Sequence, residues 1–163
     1  MKKYLALLML LAISLTGCGF HLQHEAEVPA RFKTISYISY DPYGRLSREI
    51  KEILHDNRVT LTNNATEQVP SLRMLSENLS RNTISIYQDG KAAEYQLVLT
   101  VEAQVVIAGQ QTYPINVRVF RTFFDNPSDA LAKTVEQDII ENEMFKQAAK
   151  QVIRKLKSID AVN

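Results

Sequence analysis

One segment of this sequence is compatible with a single kind of structure. From Tyr95 to Ile107, apolar residues occupy every second position, and mostly polar residues occupy the positions between them. Side chains of a β-strand point alternately to the two faces of a sheet, so this pattern predicts a long strand with one buried face. The chain must therefore form a sheet and cover one face of it with a second layer.

Flanking segments predict the rest of the sheet. Phe32–Tyr40 is rich in β-branched and aromatic residues, and Tyr113–Phe124 alternates again, so each predicts a strand. Leu72–Tyr87 alternates only in its second half, which predicts a strand with a bulge or break near residues 78–82. The dipeptide Asp89-Gly90 predicts a type I′ hairpin turn, in which both central residues have a positive φ.

Two helices supply the second layer. Leu46–Asn57 places its apolar residues at i, i+4, i+7 and i+8, which predicts one apolar stripe on a helix. Residues 127–157 predict a long helix, and its apolar face is expected to consist of Leu131, Val135, Ile139, Phe145, Ala149, Val152 and Leu156. These patterns predict an α+β fold, a two-layer sandwich with two helices on one face of a mostly antiparallel sheet of about four strands. The single domain covers residues 32–158, and residues 159–163 form a tail.

The first residues predict a secreted protein with a lipid anchor. A basic start is followed by about twelve mostly apolar residues, too few to span a bilayer, and then by Leu15-Thr16-Gly17-Cys18. This tetrapeptide resembles the bacterial lipobox, which implies removal of residues 1–17, acylation of Cys18 and a tether over residues 18–31. The alternative is an ordinary signal peptide followed by an incidental cysteine. Gly19 stands where Asp retains enteric lipoproteins in the inner membrane, and this indicates the outer membrane, facing the periplasm.

Composition and motifs argue against an enzyme. The net charge of +1 provides no global field for nucleic acid, and a lone cysteine excludes an intramolecular disulfide or a Cys-x-x-Cys redox motif. His21, His24 and His55 have no partners at ligand or triad spacing, so neither a metal site nor a cofactor is expected. No phosphate-cradling glycine loop or nucleophile motif is present either. The sequence therefore predicts a binding or structural protein.

Two lysines are candidate contacts for an anion. Lys91 follows the predicted hairpin tip, and Lys133 lies in the first turns of the long helix, where open backbone N–H groups favour negative charge. Residue types alone favour ordinary surface charge over such a site. The aromatic residues Tyr113, Phe120, Phe123 and Phe124 are expected in the core. If the sheet face opposite the helices is open, some of them mark a surface for a partner.

At this point several segments resemble one known family, the LPS-assembly lipoproteins called LptE. The resemblance lies in Cys18-Gly19-Phe20-His21-Leu22, Val69-Pro70-Ser71-Leu72-Arg73, Phe123-Phe124-Asp125-Asn126-Pro127 and Ala130-Leu131-Ala132-Lys133. It covers nearly the whole chain after Gly17, in matching order and spacing. It implies a non-enzymatic lipoprotein that plugs the β-barrel LptD in a 1:1 complex, helps it to assemble, and binds lipopolysaccharide on its way to the outer leaflet.

The resemblance also implies roles for particular residues. Lys133 matches a basic position of the family and is the first candidate for a lipid A phosphate, and Lys91 is the second. The hairpin residues Tyr87, Gln88, Asp89 and Gly90 would face the ligand or the barrel wall, although Gln88 stands where a basic residue is frequent. Two alternatives remain open. One is a free-standing lipid-binding lipoprotein with no barrel partner, and the other is an anchored hydrolase, for which no catalytic motif is visible.

Overall fold

The structure, a computed structural model, describes residues 28–62, 69–107, 112–124 and 130–159. Within these ranges the chain forms a single five-stranded sheet with two α-helices. The strands are β1 (Thr34–Ser39), β2 (Thr60–Thr62), β3 (Ser71–Ile86), β4 (Ala92–Val106) and β5 (Thr112–Phe124), and the helices are α1 (Arg45–Asp56) and α2 (Ala130–Ser158). A 3₁₀ turn over Ala30–Phe32 leads into β1.

The sheet has the strand order β2-β1-β3-β4-β5. The two long ladders, β3 with β4 and β4 with β5, are antiparallel, whereas β1 is parallel to both of its neighbours. Parallel neighbours require a crossover connection, and α1 supplies it between β1 and β2. The predicted two-layer α+β sandwich is confirmed. The sheet has five strands where about four were expected. The shortest is β2, which pairs through only three residues and lies in Val59–Thr62, a segment whose residue types favour a short strand.

The core lies between the helices and one face of the sheet. Leu97, Leu99 and Val101 of β4 are buried on this face, as the alternation predicted, and Ala148 and Ala149 of α2 are buried with them. Alanine side chains at this contact let the helix approach the sheet closely. The core also includes Phe32, the first residue of the predicted domain. Val28 and Ile159 belong to the core too, although they lie just outside the predicted bounds of 32–158.

The irregular strand β3 carries its bulges in different places from the expected ones. The register shifts between Met74 and Ser76 and again from Thr83 to Ile86, not within residues 78–82. An extra residue at Leu75 reverses the alternation, so Glu77 pairs with the buried Val101 and lies on the helix side. Polar residues on both faces of this strand leave such shifts invisible in the sequence.

The long helix α2 is only half covered. Arg45, at the start of α1, forms an ion pair with Glu141 at 3.2 Å, and Lys157 donates to Asn57 beyond the end of α1 at 3.0 Å. The 12-residue α1 therefore lies beside the second half of α2. Val135 and Ile139, expected in the apolar face, are 61% and 54% exposed. That expectation was wrong because helical periodicity does not tell how far a neighbouring helix extends.

The end of α1 has an unusual residue. Arg58 N–H donates to the carbonyl of His55, and Val59 N–H donates to that of Leu54, which is the hydrogen-bond pattern of a Schellman motif. The motif requires a left-handed residue, and here Arg58 has a φ of 57° where glycine is usual. Holding an arginine in this conformation costs about 1 kcal/mol. Burial of Val59 against the core completes the motif.

Candidate functional site

The hairpin between β3 and β4 lies at one end of the sheet, which we call the distal end. Gly90 N–H donates to the Tyr87 carbonyl at 2.9 Å, and Tyr87 N–H donates to the Lys91 carbonyl at 2.7 Å. Only Gly90 has a positive φ here, 81°, and Asp89 does not. The turn is therefore not type I′ as predicted. It is a turn over Gln88 and Asp89 followed by Gly90 in the left-handed position, a second common hairpin form.

Every residue of this hairpin loop is exposed. The sequence placed Tyr87, Gln88, Asp89, Gly90 and Lys91 in the candidate site, and all five lie at the tip. The Lys91 ammonium forms an ion pair with the Asp89 carboxylate at 3.2 Å, and Lys91 N–H also donates to that carboxylate at 3.1 Å. Because Asp89 lies so close, part of the positive charge of Lys91 is neutralised before any ligand arrives.

The other candidate lysine comes from the start of α2. Lys133 lies in the first turn of this helix, where the backbone but not the side chain belongs to the described part of the chain. β5 ends at Phe124, which pairs with Glu94 near the start of β4, and α2 begins six residues later. The start of α2 and the hairpin tip therefore lie toward the same end of the sheet. Cys18 lies outside the described residues.

Arg81 lies on the helix-side face of β3, between the tip and the helical core. The Arg81 guanidinium stacks over the ring of Tyr95, 4.6 Å from its centroid, and this ring in turn contacts that of Phe123 at 5.4 Å. Such a contact holds a cation in place and leaves its N–H groups available. Sequence reasoning missed this pair because the two bulges of β3 determine on which face Arg81 lies.

The opposite face of the sheet has no helix over it in the described part of the chain. Phe120 and Phe124 of β5 lie on this open face and are 49% and 73% exposed, whereas Phe123 is buried on the helix side. The four aromatic residues are therefore divided between the two faces. Most of the open face of β3 and β4 is polar, with Asn78, Ser80, Asn82, Gln96, Thr100 and Glu102 in adjoining rows. This face can contact a partner by hydrogen bonds and by the two phenylalanines.

A polar cluster of Tyr40, Asp41, Arg45, Glu77 and Glu141 joins the sheet to both helices. Burial raises the pKa of the Glu77 carboxyl above its ordinary value of 4.5, and the nearby Asp41 carboxylate raises it further. A hydrogen bond from the Tyr40 hydroxyl and the charge of Arg45 oppose this rise in pKa only partly. Arg45 is already paired with Glu141, so the Glu77 charge is incompletely compensated. The ionised form of Glu77 therefore weakens the fold.

This cluster predicts a pH-dependent stability. Because the pKa of Glu77 is higher in the folded chain, its favourable contribution is complete below pH 4.5 and is lost as the pH rises through the folded value. Glu77→Gln should raise the free energy of unfolding at pH 7.5 by less than about 1 kcal/mol, since solvent screens the group, and should change little at pH 4. Urea titrations at both pH values measure this. Glu52→Gln, exposed on α1, should show no comparable gain, and an equal gain would contradict the explanation.

Other chemistry has little support among the described residues. They contain no group of three or more His, Cys, Asp or Glu side chains that could hold a metal ion. No helix among them is long and apolar enough to cross a bilayer. His55 is exposed on α1, while His21 and His24 lie outside the described residues. Within this part of the chain, the features that could recognise a partner include the tip, the open face and the exposed flank of α2.

Comparison with known sequences gives a consistent result. The family model for LptE, described as lipopolysaccharide-assembly, matches residues 32–156. An LPS-assembly lipoprotein LptE of Pectobacterium atrosepticum is 51% identical over 160 residues, covering 97% of this chain and 87% of the relative. The protein of the same name from Photorhabdus laumondii is 44% identical over 158 residues, covering 96% and 87%.

Solved structures show the same fold. The crystal structure of rare lipoprotein B from Shewanella oneidensis superposes with a TM-score of 0.74 at 33% identity, covering 79% of this chain and 97% of that one. A solution structure of lipoprotein B from Nitrosomonas europaea has a TM-score of 0.73 at 18% identity, covering 88% and 94%, and supports the fold alone. The α+β sandwich is therefore shared with other bacterial lipoproteins.

Proposed function

The chain belongs to the LptE family of lipopolysaccharide-assembly lipoproteins, and from this premise we propose that it fills the lumen of the barrel protein LptD and binds lipopolysaccharide. In this proposal it is anchored in the outer membrane through an acylated Cys18 and faces the periplasm. It helps the barrel to assemble in a 1:1 complex and catalyses no reaction. Its relatives are likewise named for assembly of lipopolysaccharide rather than for a reaction.

The open sheet face is the observation that carries the barrel assignment. The interiors of large membrane barrels are polar, so a plug must present hydroxyl and amide groups rather than a continuous apolar surface. The rows around Asn78, Thr100 and Gln96 have this character, and the exposed Phe120 and Phe124 add local apolar contacts. The long antiparallel ladders of β3, β4 and β5 make this surface stiff along its length, which suits a plug inside a wide barrel.

Binding of lipopolysaccharide is supported by the distal end. Lipid A carries phosphates, and a phosphate is favoured by lysines beside a helix start, where free N–H groups and the helix dipole add positive potential. Lys91 at the tip and Lys133 in the first turn of α2 lie toward this end of the sheet. Arg81, held over the Tyr95 ring, adds a third cation on the helix side of the same strands.

Recovery of the intact complex tests the barrel assignment. The full chain with an affinity tag after Asn163 is purified from detergent-solubilised outer membrane, and the largest co-purifying protein is identified. A barrel recovered in a 1:1 ratio is expected. As a second arm, Thr100→Lys places a charge on the open face and should reduce recovery, while Lys150→Glu on the exposed face of α2 should not. Recovery of lipid without a barrel would instead favour a free-standing lipid-binding lipoprotein.

A further inference from the structure

The end of the domain opposite the hairpin tip is rich in cations. Here the described chain begins at Val28, and both α1 and α2 end. Arg31, Lys33, Arg58 and Lys157 lie at this end, which we call the basic end. The exposed Asp56 carboxylate lies nearby, 3.8 Å from the His55 ring nitrogen.

Two of these cations have a structural role. The Lys33 ammonium donates to the Asn57 backbone carbonyl at 3.5 Å, and the Lys157 ammonium donates to the Asn57 side-chain carbonyl at 3.0 Å. Both therefore neutralise the negative end of the α1 dipole and connect α1 to neighbouring segments. These contacts account for Lys33 and Lys157 without any external ligand.

Arg58 has no such role. Its exposed side chain forms no hydrogen bond or ion pair within the described part of the chain. Its backbone has a φ of 57°, a conformation in which glycine would fold without strain. Burial of Val59 and the two backbone hydrogen bonds hold this conformation whatever the side chain at position 58. An arginine that strains the backbone and forms no side-chain hydrogen bond or ion pair with the described residues points to a use outside the folded chain.

The expected lipid anchor at Cys18 indicates which external partner Arg58 could meet. Nine residues lie between Cys18 and Val28, and the ten steps from one to the other span at most about 35 Å in a fully extended chain. Acylation of Cys18, as in the proposed function, therefore keeps the basic end near the bilayer surface. Membrane anchoring by a lipid is commonly reinforced by basic residues that face anionic headgroups.

We propose that the basic end, with Arg58 as its outermost contact, binds the phosphate groups of anionic phospholipids in the leaflet that holds the lipid anchor. Because Lys33 and Lys157 already hold Asn57, they contribute long-range attraction, whereas Arg58 is free to contact a headgroup directly. The contact orients the domain relative to this leaflet, with the hairpin tip directed away from its headgroups. The inference rests on the anchoring part of the proposed function and is independent of the barrel.

Vesicle binding by the non-acylated protein tests the proposal. The chain from residue 18 with Cys18→Ser is mixed with vesicles of phosphatidylcholine alone or with about one-third of the anionic lipid phosphatidylglycerol, at about 0.1 M salt. Arg58→Gln should lower the partition coefficient on anionic vesicles roughly fivefold, the effect of one charge near such a surface. Arg48→Gln removes the same charge from the other end of α1 and should change it less than about twofold.

Arg58→Gly separates binding from folding. Because glycine relieves the backbone strain, this variant should melt about 3 °C higher than the parent protein while binding anionic vesicles as weakly as Arg58→Gln. Its binding to lipopolysaccharide micelles should equal that of the parent protein, since the candidate lysines lie at the opposite end. A failure of lipopolysaccharide binding in the parent protein would thus refute the proposed function without touching this inference.

Three results would overturn the inference. The first is equal binding of the parent protein to neutral and anionic vesicles. The second is an equal effect of Arg58→Gln and Arg48→Gln, which would reduce the observation to net charge. The third is a lower melting temperature for Arg58→Gly, which would show that the arginine serves the fold.

Discussion

Replacing Leu99 by alanine should lower the free energy of unfolding by about 3 to 4 kcal/mol. Leu99 lies at the centre of β4, the middle strand of the long ladders, pairs with Leu79 and Val119, and is completely buried. Alanine leaves a cavity there, because three paired strands prevent the surroundings from closing in. Urea unfolding of the chain from residue 18, followed by circular dichroism, measures the loss.

A matched truncation on α2 provides the control. Ile139 is of similar size, but more than half of its side chain is exposed, so Ile139→Ala should change the free energy of unfolding by no more than about 0.5 kcal/mol. This pair of variants tests the fold and the incomplete cover of α2 together. Equal losses for the two truncations would mean that the N-terminal half of α2 is packed against the core after all.

Reversing both candidate lysines should weaken binding of lipopolysaccharide by at least about tenfold. Lys91→Glu with Lys133→Glu removes two cations from the distal end and places two carboxylates where phosphates are expected to lie, so attraction becomes repulsion. The effect should shrink at high salt, since Lys91 is exposed to solvent. Binding of fluorescent lipopolysaccharide, titrated at two salt concentrations, measures both effects.

The control for this double variant keeps the change in net charge. Lys146→Glu with Lys150→Glu reverses two exposed cations on the second half of α2, away from the tip, and should alter binding less than about twofold. A third variant, Asp89→Asn, releases Lys91 from its ion pair and should strengthen binding modestly. If the two double variants weaken binding equally, net charge and not the distal end determines recognition.

Much of the fold could be predicted because its elements carry local signals. The alternation from Tyr95 to Ile107 specified both the strand and its buried face, and the stripe of Leu46, Ile50 and Leu54 specified the inner face of α1. The lipobox and the LptE resemblance depend only on residue order, so they needed no structure. The hairpin was predicted correctly, but the predicted turn type was wrong, because Asp-Gly is compatible with more than one type of turn.

The candidate site was predicted less completely. Lys91 and residues 87–90 could be placed at a tip because a hairpin turn is always at the end of its strands. The Arg81–Tyr95 pair and the position of Glu77 could not be predicted, since each depends on a register shift at Leu75 or beyond. A shift of one residue moves every following side chain to the other face, and polar residues occupy both faces of β3.

The sequence by itself determined the elements, the buried face of β4 and the family, because each of these depends on neighbours within one segment. Only the tertiary structure decided where α1 stops covering α2, which face of β3 holds Glu77, and why Arg58 is strained. Those outcomes depend on contacts between segments far apart in the chain. Their physical basis is packing: a helix of fixed length shields a fixed length of its neighbour, and residues beyond it remain exposed whatever their hydrophobicity.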